Sequence, residues 1–294
     1  MRSPVLASAL ALSAMLATGF GTIRGLGQDA EHERITRTAL QPHDLGPRTL
    51  DELAGKRGGF GAVGAPDRPG RGLSSVKTAH CDGGDWLDLP GYPHSKAAAQ
   101  ATLDGCRIHI TTHMKAAVKA AGALGQGGKI DPGASALDCP FDGKTGSAKC
   151  RVLEELGLAL HAAQDFYSHT NWVDPPGGPP SLAAPPGLNR SEPAEWLGVG
   201  SAAGFPTGLI SGCYDGFPET FYCRGRIKHA TLNKDTAGAD RGRGGVYSKA
   251  MAVAAADTRS RWIWFAKAVR ETYGEQRGEK ILCLVRRDDP AGCY

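Results

Sequence analysis

His161, Asp165 and His169 lie in one run of mostly apolar residues, Leu-Gly-Leu-Ala-Leu-His-Ala-Ala-Gln-Asp-Phe-Tyr-Ser-His-Thr-Asn-Trp, residues 156–172. Each follows the last by four positions, and a helix turns by about 100° per residue, so each side chain returns to within about 40° of the one before. Two imidazoles and a carboxylate then project as one column from a helix that otherwise buries alanine and leucine. Burying such groups without partners costs roughly 2–7 kcal/mol for each neutral polar group. A divalent metal removes that cost, because it takes neutral imidazole nitrogens and carboxylate oxygens as ligands.

Further ligand-type residues are scattered along the chain. His32 falls in the segment Ala30–Leu40, and His80-Cys81-Asp82-Gly83-Gly84-Asp85 places one imidazole and two carboxylates in a glycine turn. His80 reads either as a ligand or as a donor that orients Asp82 or Asp85. His109 and His113 are four apart and share a helix face, either as two ligands or as a ligand and its orienting partner. His229 and Asp235 complete the set. His43 and His94 sit beside proline and serine in loops and read as ordinary surface histidines. A single buried histidine is usually a satisfied core residue, but this many ligand-type groups on alanine- and leucine-rich helices point to a metal centre.

Four helices must position these residues. They are expected over about 30–40, 95–121, 149–171 and 246–273, the last with an apolar stripe of Ala250, Val253, Ala254, Trp262, Phe265, Ala266, Val269 and Tyr273. Strand signals are sparse, so the fold class is all-α with long, irregular connections. The chain's 41 glycines and 19 prolines concentrate in residues 45–84 and 175–218. Loops this long are usually functional or disordered, and residues 175–222 are expected to form a loop-rich rim or lid over the site, with disorder of the proline-rich first half as the alternative.

The setting is legible from composition. Met1-Arg2 precedes an apolar stretch, Val5–Leu16, that is too short to span a bilayer and is followed by Ala17-Thr18-Gly19. This predicts a secretory signal in about residues 1–27, cleaved between Gly19 and Asp29, and a secreted helical domain over 28–294. Cys81, Cys106, Cys139, Cys150, Cys213, Cys223, Cys283 and Cys293 form sequence-neighbour pairs. In an exported chain these predict disulfides 81–106, 139–150, 213–223 and 283–293, chosen by proximity from on the order of a hundred connectivities. No Cys-x-x-Cys occurs, which argues against a cysteine zinc site. Net charge is +4, from 34 Lys+Arg against 30 Asp+Glu over 294 residues, too mild to imply a stable nucleic-acid partner. The local basic run Arg224-Gly-Arg226-Ile-Lys228 ends beside His229, where it can meet solvent or a phosphate.

Taken with an earlier His-x-x-Ile-Thr and a later His-x-x-Leu-Asn-Lys-Asp, the run Leu-His-Ala-Ala-Gln-Asp-Phe-Tyr-Ser-His-Thr-Asn-Trp resembles the Het-C-related family, and most of all its secreted bacterial, CinY-type branch. That group is similar to zinc-dependent phospholipase C and to zinc-dependent single-strand nucleases, which are mostly helical and hold three zinc ions at the base of a cleft. The resemblance runs from about Gln28 to Tyr273. It implies that His161 and Asp165 form the helix pair in which the aspartate bridges two zincs, and that His32 serves one of those. It implies Asp82 or Asp85, with His109 or His113, for the other, and His169, His229 and Asp235 for a third. Two features depart from the family pattern: no tryptophan precedes Trp86 to act as the N-terminal ligand, and the step from His229 to Asp235 is two residues longer than usual.

The function implied is zinc-assisted hydrolysis of a phosphate ester with two or three ions, since a bound zinc lowers the pKa of water from about 15.7 to roughly 7. Asp82 or Asp85 would position the water or take its proton. A phospholipid substrate is suggested by the segment Trp196–Phe205 with Phe217, Phe221 and Tyr222. A single-stranded nucleic acid would instead stack on Tyr214 or Tyr222 beside Arg224 and Arg226. The modest charge favours a lipid or small phosphoester, and the chain is expected to be a monomer. A non-catalytic protein that uses zinc structurally, and acts by binding a partner or membrane surface, is the alternative from another class.

Overall fold

The structure is a computed structural model describing residues 20–25, 27–125, 133–216, 218–240 and 243–293. The proposed export segment, Val5–Leu16, lies outside these residues. The long helices are α1 (Glu31–Leu40), α4 (Lys96–Ala121), α5 (Ala148–His169), α8 (Val246–Tyr273) and α9 (Glu275–Arg286). Shorter ones are α2 (Pro47–Ala54), α3 (Lys77–His80), α6 (Glu219–Tyr222) and α7 (His229–Leu232). The only strands among the described residues are β1 (Arg24–Gly25) and β2 (Gln28–Asp29), an antiparallel pair. No helix of the described residues is long and apolar enough to cross a membrane.

Helix starts follow their caps. The Ser95 side chain accepts from the Ala98 N–H at 3.2 Å and Ser147 accepts from Cys150 at 3.0 Å, satisfying backbone donors the helix itself leaves open. From Val152 on, α5 is buried at every position except Glu155, the mark of a helix surrounded by other elements. It packs on α4, α8 and α3 with further contacts to α1, α2 and α9, so α5 is the axis of the molecule. The stripe on α8 is buried at Ala250, Val253, Ala254, Trp262, Phe265 and Val269, with Ala266 and Tyr273 at its partly buried edge.

The connections expected to be irregular hold the missing helices. Residues 45–84 contain α2, α3 and a short turn at Ala65–Asp67, and residues 218–232 contain α6 and α7. Helix α9 escapes the periodic pattern because its exposed face is strongly charged, while Ile281, Leu282, Leu284 and Val285 are buried. Two glycines permit the close approaches that matter most. A side-chain carbon at Gly157 would overlap the Ala62 backbone, and one at Gly212 would overlap His229. The first brings residues 62–67 against α5, and the second brings residues 211–213 against α7.

All four proximity-based disulfides are present: Cys81–Cys106, Cys139–Cys150, Cys213–Cys223 and Cys283–Cys293. The first ties the turn after α3 to α4. The third closes the loop that carries α6. Residues 174–210 fold back on the end of α5, where Asn171 donates to the carbonyls of Pro186 and Gly208 and the Trp172 indole donates to the Glu192 carbonyl.

Candidate metal centre

Asp165 is fully buried, and its two oxygens face different neighbours. Oδ2 lies 2.9 Å from His80 Nδ1 and 3.1 Å from His161 Nε2. Oδ1 lies 3.3 Å from His32 Nε2 and accepts the Phe20 backbone N–H at 2.9 Å. Asp67 stands beside the first set, with Oδ1 3.9 Å from His80 Nδ1 and 3.8 Å from His161 Nε2. The His32 and His161 rings stack with centroids 4.3 Å apart.

A second cluster lies beyond the next turn of α5. His169 Nε2 and His229 Nε2 both point at Asp235, at 3.3 Å from Oδ1 and Oδ2 respectively. The long step from His229 to Asp235 is accommodated because the chain leaves α7 after Leu232. The Lys234 N–H then donates to Ser168 Oγ at 3.0 Å, and Ser168 donates to Asp235. Asp82 sits outside this pair, with Oδ1 3.0 Å from His229 Nδ1 and 3.3 Å from His169 Nδ1.

Each ring of both clusters has its other nitrogen held. His161 Nδ1 is 2.9 Å from the Val63 carbonyl, His169 Nδ1 is 2.7 Å from the His80 carbonyl, and His80 Nε2 is 3.2 Å from the Leu73 carbonyl. Carbonyls only accept, so these nitrogens carry a proton and the inward ones are left for a second proton or a metal. His32 Nδ1 is 2.7 Å from Gln164 Oε1, whose amide orientation is set by donation to the Thr36 and Thr258 hydroxyls at 3.0 and 3.1 Å. Asp82 does the same for His229. This is how metal-binding imidazoles are oriented by surrounding groups.

The residues fit a divalent transition metal on grounds internal to the fold. His32 Nε2, His169 Nε2 and Asp67 Oδ1 are buried without a hydrogen-bond partner, each of which costs about 1–3 kcal/mol if left so. Tetrahedral ligands at about 2.0–2.1 Å from zinc stand roughly 3.3 Å from one another, close to the separations within both clusters. The metal-ready groups are His32, Asp67 and His161; His80, His161 and Asp165; and Asp82, His169 and His229. For the last of these, Asp235 is the better inward carboxylate than Asp82, because Asp82 faces the protonated nitrogens. Cys213, Asp215 and Cys223 also converge, but both sulfurs are consumed by their disulfide.

Electrostatics agree with a site shaped for cations. Burial opposes ionisation of Asp165, but His161, His169 and His32 around it hold the carboxyl well below its usual range. Burial also pulls His229 down, and Asp82 outweighs it, leaving the ring pushed up to about 9. His169 is raised in the same way by Asp82 and Asp165 against its burial, whereas for His161 burial prevails and the ring is lowered. The carboxylates therefore attract positive charge to ring nitrogens that a metal would take from protons.

Of the residues singled out in the sequence, His32, His161, Asp165, His169, His229 and Asp235 converge, with Asp82 just outside. Asp85 does not join them. It is fully buried and accepts from Arg226 Nε and Nη2 at 3.0 and 2.5 Å and from the Tyr92 hydroxyl at 2.6 Å. The same contacts, with a further one to Asp215 at 2.5 Å, engage Arg226 and remove it as a free phosphate ligand. Arg224 and Tyr222 are exposed on the disulfide-closed loop, and Tyr214 is the aromatic beside the centre, 5.5 Å from the His229 ring. His109 and His113 pair with each other and with Glu155 rather than with Asp165. His94 bonds the Asp85 carbonyl and His43 packs near Trp262, as surface-loop histidines do.

Asp67 was not anticipated: it sits in a Gly/Pro-rich stretch with no periodicity to mark it. His80 turns inward as a ligand-type group rather than orienting Asp82 or Asp85. Comparisons with protein-family models, curated proteins and solved structures return no match to this chain.

Proposed function

We propose that this chain is a secreted, metal-dependent hydrolase of phosphate esters, of the Het-C-related group and with the helical architecture of the zinc-dependent phospholipase C and single-strand nuclease enzymes. The observation that carries the proposal is Asp165, whose Oδ2 faces His80 Nδ1 and His161 Nε2 while Oδ1 faces His32 Nε2. One carboxylate serving two cation positions is the arrangement a multi-metal hydrolase needs. His80, His161 and Asp165 Oδ2 would hold one ion, and His32 with Asp165 Oδ1 a second. His169, His229 and Asp235 would hold a third. Zinc, when bound, supplies a Lewis acid and lowers the pKa of water. Processing before Phe20 would free its amine 2.9 Å from Asp165 Oδ1, in place of the N-terminal tryptophan of those enzymes.

The chain's own residues do the rest. Gln164, Val63, Leu73 and His80 carbonyl or amide oxygens fix the ring tautomers. Asp82 orients His169 and His229, and Asp67 Oδ1 is the carboxylate oxygen left to position water or accept its proton. Tyr214, 5.5 Å from the His229 ring, would contact the substrate. A phospholipid or small phosphoester is favoured by the mild net charge.

The test is hydrolysis of bis-p-nitrophenyl phosphate, of phosphatidylcholine and of single-stranded DNA by purified chain, with and without chelator. Chelator-sensitive turnover that Asp165→Asn abolishes supports the proposal. A second reading, a non-catalytic protein with a structural metal, is favoured by one observation: the ligand-type side chains around Asp165 are 0–5 % exposed. Metal-loaded chain inactive on all three substrates would establish that reading instead.

A further inference from the structure

His109 and His113 lie on adjacent turns of α4, four residues apart, with ring centroids 4.4 Å from each other. They are two of the four histidines outside the buried centre, with His43 and His94. His113 Nδ1 is 2.6 Å from Glu155 Oε2 on α5, so a carboxylate fixes the ring and leaves Nε2 as the bare nitrogen. His109 Nε2 is buried and has no hydrogen-bond partner. Burial, then His113, holds the His109 imidazole down at about 3, so the ring is neutral and one of its two nitrogens is a lone pair. The surroundings differ from the centre in one respect: His113 and Glu155 are 23 % and 30 % exposed, whereas the ligand-type groups of the centre are closed off.

We infer that His109 and His113 form a separate, solvent-facing site for a divalent transition metal, with Glu155 as the group that orients His113. Two imidazoles at helical spacing with water completing the shell select zinc, nickel or copper over calcium or magnesium, which prefer oxygen ligands. With only two protein ligands the ion exchanges readily, while ions held by the buried set do not. The site lies on α4 and α5, the helices that flank the centre, but it uses none of the centre's residues and stands whether or not the chain is a hydrolase.

Equilibrium dialysis of the intact chain against nickel or zinc alone, read as metal per chain by mass spectrometry, tests this. Wild type retains one equivalent that a weak chelator strips, in addition to any that only a strong chelator removes. His113→Ala and His109→Ala lose the weak equivalent and keep the rest. Glu155→Gln keeps it with affinity lowered roughly 10- to 100-fold, the usual effect of removing a group that orients a ligand. His113→Gln repeats the comparison at similar volume if the alanine variant folds poorly by circular dichroism. Superimposable isotherms for wild type and folded His113 variants overturn the site, and so does an isotherm unmoved in Glu155→Gln. Loss of the tightly held metal alone bears on the buried centre and not on this inference.

Discussion

Asp85 and Asp165 are both fully buried aspartates, and their partners differ in kind. Asp85 is answered by a guanidinium in two-point contact and by a tyrosine hydroxyl. Its charge is met by a permanent cation, and the Tyr92 hydroxyl beside it is pushed up by burial and then by Asp85 itself. Asp165 is answered by rings that are cationic only if protonated, and the atoms around it include acceptors and lone pairs with nothing to bond. A carboxylate closed by arginine is a brace. A carboxylate ringed by oriented imidazoles belongs to a group that could hold a metal ion. Buried charge alone therefore does not mark a site, but the protonation state its partners are held in does.

That contrast is sharpest in stability. Asp85→Asn leaves Arg226 beside a neutral group, and breaking a buried pair from one side costs about 3–5 kcal/mol. The lower end applies, because Arg226 is 14 % exposed and keeps Asp215. Denaturant unfolding should show this loss while metal content stays at the wild-type level. Metal lost in proportion to stability would dissolve the distinction between brace and metal-holding group.

A smaller effect is expected one layer out from Asp165. Gln164→Leu removes the acceptor that fixes His32 and should weaken one metal equivalent roughly 10- to 100-fold, leaving the others unchanged in a competition titration. Uniform weakening of every equivalent would mean that the two faces of Asp165 are not separate.

The smallest effect lies in pH. His229, pushed up to about 9, and His169, raised well above its ordinary value, gain their partners in the folded state. A raised pKa contributes stability that is fully present below the ordinary histidine value of about 6.5 and is lost as pH rises through the folded value. Metal-free chain should therefore lose thermal stability between about pH 6.5 and 9, while metal-loaded chain loses less and binds more tightly as pH rises. Melting curves of the two forms that run parallel across this window would contradict the assignment.

Much of this was legible in the sequence. The four-residue step fixed the shared face of His161, Asp165 and His169, and apolar spacing placed the starts of α4 and α5 to within a residue or two. Proximity sufficed for the disulfides. What escaped was contact across long separations. Nothing near Asp85 announces Arg226, 141 residues on, and nothing in Gly-Ala-Pro-Asp67 announces that Gly157 lets that turn reach α5. Helical spacing showed that His109 and His113 share a face but not that the face meets Glu155. Asp82 and Asp85 are alike as residues, and only the tautomers around them distinguish a group that orients ligands from one that braces a loop.

The most direct measurement is metal content of the purified chain beside Asp165→Asn and Asp85→Asn, with folding checked by circular dichroism. The account predicts two or three tightly bound ions in wild type and in Asp85→Asn, and loss of at least the pair served by Asp165 in folded Asp165→Asn. A wild-type chain that folds and melts identically with and without metal, and holds none after exposure to zinc, would contradict it.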